Sequence, residues 1–331
     1  MGQGDTGGEH QGGVVRLAPV ASCHMFRIWV PDLDSPSYFV AIAAVELGLF
    51  KQEGIDIEFV YNTLEGPELM RDGKLDFIGG PDFAATRTFP DWKGVKLLCA
   101  LSQYSYWFMA VRSTLDIQRG DLQAIKGLRI SAAPAWPGMS LRYMLADAGI
   151  DLERDNVRIV PPPPPYGDKG FMARNGVDSI IQNMADAYWG NGMRVALGES
   201  LGIAKLHLDL RRGDGPPGAR YYNFAALTAP ERLINEHREV AAGAIRAIVR
   251  AQKALKANPS ISAEIGNRLF PADEAELIAG LIERDAPFYD AEISHDAVDG
   301  LMKFAKGYGL IKDAVPYEDL VATPFSHLWK E

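Results

Sequence analysis

Short apolar segments alternate with helix-like segments along the first two thirds of the chain. Residues 55–60 alternate apolar and polar side chains, which is typical of a half-buried strand. Residues 37–47 form a compact apolar helix pattern that stops at Gly48. The same reading predicts strands over 25–30, 55–60, 75–78, 95–101, 107–111, 128–130, 157–160, 185–187 and 204–210. It predicts helices over 37–47, 65–72, 138–147, 169–183, 193–201, 233–257, 260–269, 272–285 and 295–308.

This order of elements predicts an α/β chain with two lobes. Strands that alternate with helices indicate mainly parallel sheets flanked by helices. The pattern restarts after Val111, and the last third is mainly helical. We therefore expect a disordered or extended segment over 1–24, a first lobe from 25–112 plus 222–331, and a second lobe from 113–221. In such sheets ligands collect at the carboxyl ends of strands, in the loops that lead into helices.

Composition removes several classes of function. A chain of 331 residues exceeds what one core usually supports, and its formal net charge of −9 argues against a nucleic-acid partner. Cys23 and Cys99 are the only cysteines, which excludes a paired-cysteine metal site, and the six histidines show no metal spacing. We expect no metal and no cofactor. No apolar run reaches the about 18 residues of a transmembrane helix, so we expect no membrane span.

Two loops of the first lobe carry candidate site residues. Ser35, Ser37 and Tyr38 open the first helix, where the serine hydroxyls either cap the helix or hold a polar ligand group. The second loop follows the third strand and contains Gly80, Asp82 and Phe83. The glycine lets a ligand approach the backbone or simply makes a tight turn. Asp82 is either a helix cap or a ligand contact, and as a contact it would favour an amine or hydroxyl over a purely anionic ligand.

Aromatic side chains supply the other candidates. Tyr104 and Tyr106 are expected on one face of a strand with Trp107 on the other, in the core or in the site. Trp136 is too large for an ordinary turn residue and is expected to serve as a stacking platform. The backbone that follows it would present hydrogen-bond donors. Trp189 either closes over a ring or packs beneath a helix. The candidates from these two second-lobe loops are Trp136, Gly138, Met139, Ser140, Trp189 and Asn191.

Several segments together resemble one known family. Residues 39–58 read FVAIAAVELGLFKQEGIDIE and resemble the first helix and second strand of sulfonate-, taurine- and nitrate-type solute-binding proteins of ABC transporters. That larger group includes the thiamine pyrimidine synthase-like proteins. Residues 70–77, 125–130, 144–160 and 185–204 continue the pattern in the same order. The resemblance covers roughly residues 25–320.

The resemblance implies a type II periplasmic-binding-protein fold that binds a small organic solute between its lobes. It also implies import as the role, an ABC permease and ATPase as partners, and a monomer. The aromatic candidates favour an aromatic or heterocyclic ligand. No signal-peptide pattern precedes the first strand, so we expect a periplasmic location if a signal peptide has been removed and a cytoplasmic one otherwise.

The alternative is a soluble enzyme on the same fold, namely a decarboxylase, desulfinase or hydrolase of a small aromatic compound. The cysteine-rich motif of the thiamine pyrimidine synthases is absent here. In the aromatic sulfinate desulfinase of this fold, a nucleophilic cysteine lies in the loop before the first helix, where this chain has Ser35. Neither resemblance supplies a nucleophile, so we assign no catalytic residue and favour binding without chemistry.

Overall fold

The computed structural model describes residues 24–61, 65–134, 136–164 and 173–331. The expected N-terminal segment therefore lies outside the described residues except for His24. The strands are β1 (Phe26–Trp29), β2 (Ile57–Val60), β3 (Phe77–Pro81), β4 (Val95–Ser102), β5 (Phe108–Arg112), β6 (Arg129–Ser131), β7 (Arg158–Val160), β8 (Ala187–Gly190), β9 (Ala204–Asp209) and β10 (Ala225–Pro230). The helices are α1 (Phe39–Glu46), α2 (Leu49–Gln52), α3 (Gly66–Arg71), α4 (Trp136–Asp147), α5 (Ala173–Ile181), α6 (Gly192–Ser200), α7 (Glu231–Glu236), α8 (Arg238–Ala257), α9 (Ile261–Leu269), α10 (Ala272–Asp285), α11 (His295–Gly307) and α12 (Tyr317–Leu320).

These strands form two sheets, one in each lobe. The first has the order β2-β1-β3-β10-β4, and the second has the order β7-β6-β8-β5-β9. In the first sheet β10 runs antiparallel to both neighbours, and in the second sheet β5 does the same. The remaining strands of each sheet run in one direction. The predicted two-lobed α/β fold with mainly parallel sheets is confirmed.

The chain crosses between the lobes earlier than expected. Strand β5 pairs with β8 and β9, so residues 108–112 lie in the second sheet and not in the first. The first crossing is therefore the segment 103–107, between β4 and β5. An apolar strand pattern shows that a strand forms, but it carries no information about the sheet that the strand joins.

The sequence pattern did not predict strand β10. It lies inside the first sheet between β3 and the edge strand β4, and every residue in it is buried. A strand buried on both faces loses the alternation of apolar and polar residues that marks a half-exposed strand. The alanine-rich segment 225–230 therefore looked like the start of the helical tail.

The helical tail contacts both lobes. Helix α8 packs on α1 and α2, as expected for a tail that returns to the first lobe. Helix α10 instead packs on α6 of the second lobe as well as on α9. The expected long helix over 233–257 is broken at His237, where φ is −133°. No helix among the described residues is both long and apolar enough to span a bilayer.

A buried group of charges connects α10 with the second crossing, which spans residues 210–224. Arg211 donates to Asp285 Oδ2 at 2.8 Å, and Arg284 donates to Asp285 Oδ1 at 2.8 Å. Burial acts to raise the pKa of Asp285, but the two guanidinium groups outweigh it and lower that pKa. We call Arg211, Arg284 and Asp285 the crossing cluster.

Candidate functional site

The loop between β1 and α1 meets the start of α6 across the cleft between the lobes. Asn191 precedes α6, and its side-chain oxygen accepts a hydrogen bond from the backbone of Arg194 at 3.3 Å. Its amide nitrogen donates to Asp34 Oδ1 at 3.0 Å. Both side chains are buried. A hydrogen bond therefore joins the lobes at the place where strand ends and helix starts converge.

The serines of this loop do not cap α1. The residue that precedes the helix is Tyr38, and it makes no side-chain capping bond. The backbone N–H of Ser35 donates instead to Asp32 Oδ1 at 2.8 Å, which turns the loop before the helix begins. Ser35 and Ser37 are both buried, and the Ser35 hydroxyl has no hydrogen-bond partner. The capping reading of Ser35 is therefore wrong, and its hydroxyl faces the protein interior.

Asp82 is also not a cap. The short 3-10 helix at Ala84–Arg87 is preceded by Phe83, and no side chain caps it. Asp82 Oδ2 accepts from the backbone N–H of Phe224 in the second crossing at 3.0 Å, while Oδ1 has no partner. The residue is fully buried, and this burial raises its pKa well above the usual range despite the bonds from backbone N–H groups.

The glycines before Asp82 are explained by packing. Gly79 and Gly80 lie inside β3, not in a turn after it. A Cβ atom on Gly80 would lie 3.0 Å from Pro31 Cδ, and one on Gly79 would lie 3.0 Å from the Cβ of Ala41. Close approach of β3 to the β1–α1 loop and to α1 therefore accounts for both, without a ligand.

A series of aromatic rings runs from the first lobe through the first crossing to the second lobe. Tyr38 and Tyr106 meet edge to face with ring centroids 5.4 Å apart, and Tyr106 lies 5.4 Å from Trp107. Trp107 stacks on Trp189 at 6.0 Å with an interplanar angle of 12°. The Tyr106 hydroxyl and Trp107 Nε1 are buried without partners. Burial raises the pKa of both tyrosines, and the Asp82 charge contributes to each increase.

Tyr104 lies apart from this series. Residues 103–107 form no strand, and Tyr104 has a left-handed φ of 65°. Its ring contacts Tyr221 and Phe288, and the guanidinium carbon of Arg220 lies 3.9 Å from its centroid. The expected shared face with Tyr106 is therefore wrong, because that expectation required the alternation of an extended strand.

Trp136 bridges the lobes as the first residue of α4. Its ring meets Trp29 at 6.3 Å and Phe83 at 5.8 Å, both edge to face, and both partners belong to the first lobe. Gly138 and Met139 are half-buried in the first turn of α4. The backbone N–H of Gly138 already donates to Ala133 at 2.9 Å, so it is not the open donor that we expected.

Trp189 is completely buried and does not close over the cleft as an exposed lid. Strand β8 extends to Gly190, which places Trp189 inside a central strand rather than in the loop after it. Its ring nitrogen donates to Ser140 Oγ at 2.9 Å, and that hydroxyl in turn donates to the backbone of Pro137 at 3.0 Å. Packing beneath a helix, the alternative reading, is the one that the structure supports.

Four charged residues at the cleft were not among the candidates, one of them the Asp34 that bonds to Asn191. Arg194 lies in the first turn of α6, and its buried Nε has no partner. Glu274 projects from α10 and is 2% exposed, and its Oε2 also has no partner. Asp32 precedes the candidate loop, and burial followed by the charge of Asp34 raises its pKa. We call Asp32, Asp34, Arg194 and Glu274 the cleft cluster.

Electrostatics link these residues to one another. Burial first, then Asp34 and Asp273, raise the pKa of Glu274 to about 8, and Arg174 and Arg194 offset only part of this. Asp32 also contributes to the raised pKa values of the two cleft tyrosines. Within the described ranges, no three His, Cys, Asp or Glu side chains are arranged to hold a metal ion.

Comparisons with known proteins agree with this architecture. Among curated proteins, none matches the chain by sequence. A putative periplasmic sulfonate-binding protein of an ABC transporter from Methylobacillus flagellatus is 16% identical, with a TM-score of 0.66 over 94% of this chain and 95% of that chain. The periplasmic nitrate-binding protein NrtA from Synechocystis is 13% identical, with a TM-score of 0.65 over 93% and 88%. The desulfurization enzyme DSZB, as a cysteine-to-serine variant with biphenyl-2-sulfinic acid, is 15% identical, with a TM-score of 0.64 over 91% and 97%.

These likenesses identify the fold as that of the type II periplasmic-binding proteins, as the sequence suggested. The family model described as NMT1/THI5 like matches residues 35–262, which is more than half of the chain. The match includes the β1–α1 loop from Ser35 onward, Asp82, both crossings and the start of α6. The chain belongs to the NMT1/THI5-like family.

Proposed function

We propose that this protein binds a small organic molecule in the cleft between its lobes, as the substrate-binding component of an ABC-type importer. The observation that carries the proposal is the set of buried polar atoms without partners that both lobes and the crossings contribute. Those beside the cleft include Ser35 Oγ, Asp82 Oδ1, Tyr106 OH, Trp107 Nε1, Arg194 Nε, Asn223 Nδ2 and Glu274 Oε2, and others lie elsewhere, such as Arg211 Nε and Nη1 in the crossing cluster. An unsatisfied buried polar group costs about 1–3 kcal/mol, so native proteins hold few of them without a functional reason.

The chemistry of these atoms suits recognition. They include hydrogen-bond donors, such as Trp107 Nε1, and acceptors, such as Asp82 Oδ1, beside the ring of Tyr106. A mainly apolar cleft with a few converging polar groups is the usual form of a small-molecule site. The rings around it favour an aromatic or heterocyclic ligand. The ABC-transporter proteins with the same fold support the importer role, which would have a permease and an ATPase as partners. In this proposal the protein acts as a monomer, in the periplasm if a signal peptide has been removed.

Catalysis is the second candidate, because DSZB is an enzyme on this fold and because burial raises the pKa of Asp82 beside two tyrosines. A raised carboxyl pKa can serve general acid–base chemistry. A serine nucleophile, however, needs a base within hydrogen-bond reach. The Ser35 hydroxyl has no partner. Binding requires only the contacts described above, so we place it first.

The test is to incubate the purified protein with a panel of aromatic acids, amides, amines and sulfinates and with a bacterial metabolite extract. Native mass spectrometry identifies what is retained, and liquid chromatography follows each compound over time. We expect one retained molecule per chain, recovered unchanged. Repeated turnover that Ser35→Ala or Asp82→Asn abolishes would refute the proposal in favour of an enzyme. A permease gene and an ATPase gene beside the coding gene would support import.

A further inference from the structure

We propose that the cleft is built for a positively charged organic molecule, an amidinium or ammonium compound with an aromatic ring, and not for an anion. This inference rests on the proposed binding function and specifies its ligand class. It also separates this chain from relatives whose names say that they bind sulfonate or nitrate.

The first support is the number of buried carboxyl groups with an open oxygen. Asp82 is fully buried and Glu274 is 2% exposed, and each has one carboxyl oxygen without a hydrogen-bond partner. The two come from opposite sides of the cleft, because Asp82 follows β3 of the first lobe and Glu274 lies on the helix that packs on α6. Such oxygens can only accept when ionised, so they call for a donor and most strongly for a cationic one.

A second support is independent of the acids. The Ser35 hydroxyl is 1% exposed and has no partner, and its own backbone N–H is bonded to Asp32. The Tyr106 hydroxyl is also buried without a partner beside Asp82. A hydroxyl adds an acceptor lone pair to a site for N–H donors, and the faces of Tyr38 and Tyr106 add attraction for a cation.

No arginine side chain in the described part of the chain is bonded to the open oxygens of Asp82 and Glu274. Arg174 is engaged with Asp273 at 2.5 Å. The buried Nε of Arg194 has no hydrogen-bond partner, and the charge of Arg194 lowers the pKa values of Asp32 and Glu274 only in part. The raised pKa values of Asp32, Asp82 and Glu274 show that burial, not neutralisation by arginine, governs these acids. A bound cation would ionise them and release protons.

The experiment uses four planar probes that share one ring and differ in the charge of the head group: benzamidine, benzamide, benzoate and benzenesulfonate. Affinities for the full-length protein are measured by calorimetry at pH 7 and checked by tryptophan fluorescence. We expect benzamidine to bind at least about tenfold more tightly than the other three, the usual gain from one charge-assisted hydrogen bond. Calorimetry in two buffers of different ionisation enthalpy should show proton release with benzamidine only.

Variants decide whether the acids are responsible. Glu274→Gln and Asp82→Asn should each lose most of the preference for benzamidine over benzamide, and Glu274→Gln should reduce proton release. Glu276→Gln is the matched control, because Glu276 is exposed on the same helix. Circular dichroism checks that each variant is folded. If one of Glu274→Gln and Asp82→Asn does not fold, the other still tests the proposal.

Two results would overturn the ligand class. Tighter binding of benzoate or benzenesulfonate would show an anion site, and the binding function would stand with another ligand. If none of the four probes binds but a compound from the extract is retained, the ligand class is also wrong and the binding function stands. Failure of the probes and of the extract together would remove the binding function as well.

Discussion

Two groups of buried charges lie between the lobes, and they are balanced in opposite ways. In the crossing cluster, Arg211 and Arg284 each donate to one oxygen of Asp285, and the pKa of that carboxyl falls despite its burial. In the cleft cluster, burial is the leading cause, and it raises the pKa of Asp32 and Glu274. The crossing cluster connects α10 with the second crossing, and the cleft cluster connects the β1–α1 loop with α6 and α10. Both contain buried acids, so burial alone does not separate them.

The difference lies in what remains open. In the crossing cluster both oxygens of Asp285 accept from guanidinium groups, and the open atoms are N–H donors, namely Arg211 Nε and Nη1 and Arg284 Nη2. The Arg211 guanidinium also lies 5.1 Å from the ring centroid of Phe108 and 4.9 Å from that of Phe288. Glu274 keeps an oxygen without a partner. A buried carboxylate with both oxygens paired holds the architecture, whereas a buried acid with a free oxygen is suited to a group from outside.

Breaking the crossing cluster should have the largest effect. Asp285→Asn leaves the fully buried Arg211 without its counter-ion and removes the Asp285 partner of the half-buried Arg284. Removal of one partner of a buried pair costs about 3–5 kcal/mol. We expect this loss in the free energy of unfolding, measured by urea denaturation at pH 7. Glu283→Gln, an exposed position on the same helix, is the control and should change stability by less than about 0.5 kcal/mol. Equal stability of the two variants would contradict the assigned role of Asp285.

Neutralising Glu274 of the cleft cluster should increase the free energy of unfolding rather than decrease it. The pKa of Glu274 rises from 4.5 to about 8 on folding, so the folded state holds its proton more tightly than the unfolded state. Stability that depends on this proton is complete below pH 4.5 and is lost as the pH rises toward 8. Glu274→Gln removes this loss, and at pH 8 we expect it to be more stable than the parent by roughly 2–4 kcal/mol.

Urea denaturation of both proteins between pH 5 and pH 9 measures this difference. The two stability curves should nearly meet at the acidic end and separate with rising pH. Glu276→Gln should run parallel to the parent throughout. A constant gap would show that the pKa of Glu274 is not raised in the folded state, and this result would contradict the prediction.

Trp136 tests the contact between the lobes without changing charge. Trp136→Ala removes edge-to-face contacts with Trp29 and Phe83, each worth about 0.5–1.5 kcal/mol. We expect a ligand found by native mass spectrometry to bind about 5- to 150-fold more weakly, because closure around it loses these contacts. Trp136→Phe should recover part of the affinity. Unchanged affinity in the alanine variant would remove Trp136 from the site.

The fold was predictable from the sequence because strand and helix patterns are local. The exceptions follow the same logic. Strand β10 is buried on both faces and shows no alternation of apolar and polar residues. The pattern of β5 predicts a strand but does not indicate which of the two sheets it joins. The predictions that Ser35 and Asp82 cap the following helices were wrong, because no side chain caps either helix.

The site was predictable only where it is local. The loops with Ser35, Asp82 and Asn191 became candidates because strand ends collect ligands, and Asn191 does donate a hydrogen bond to Asp34 of the opposite lobe. Glu274 had no such signal. It lies in α10, and the residues around it in the sequence form no motif that indicates a site. Only the packing of α10 on α6 brings it to the cleft. Buried acids contributed by a distant helix are therefore the part of this site that required the structure.

The weakest expected effect concerns the single amide that crosses the cleft. Asn191 caps α6 through its oxygen and donates to Asp34 through its nitrogen. Serine is also a good cap but has no amide, so Asn191→Ser should lose only the bond to Asp34, at about 0.5–1.5 kcal/mol. Asn191→Ala should lose the cap as well, at about 1 kcal/mol more. Urea denaturation separates the two variants. Equal losses would mean that the cap contributes nothing and that all of the stabilisation comes from the bond between the lobes.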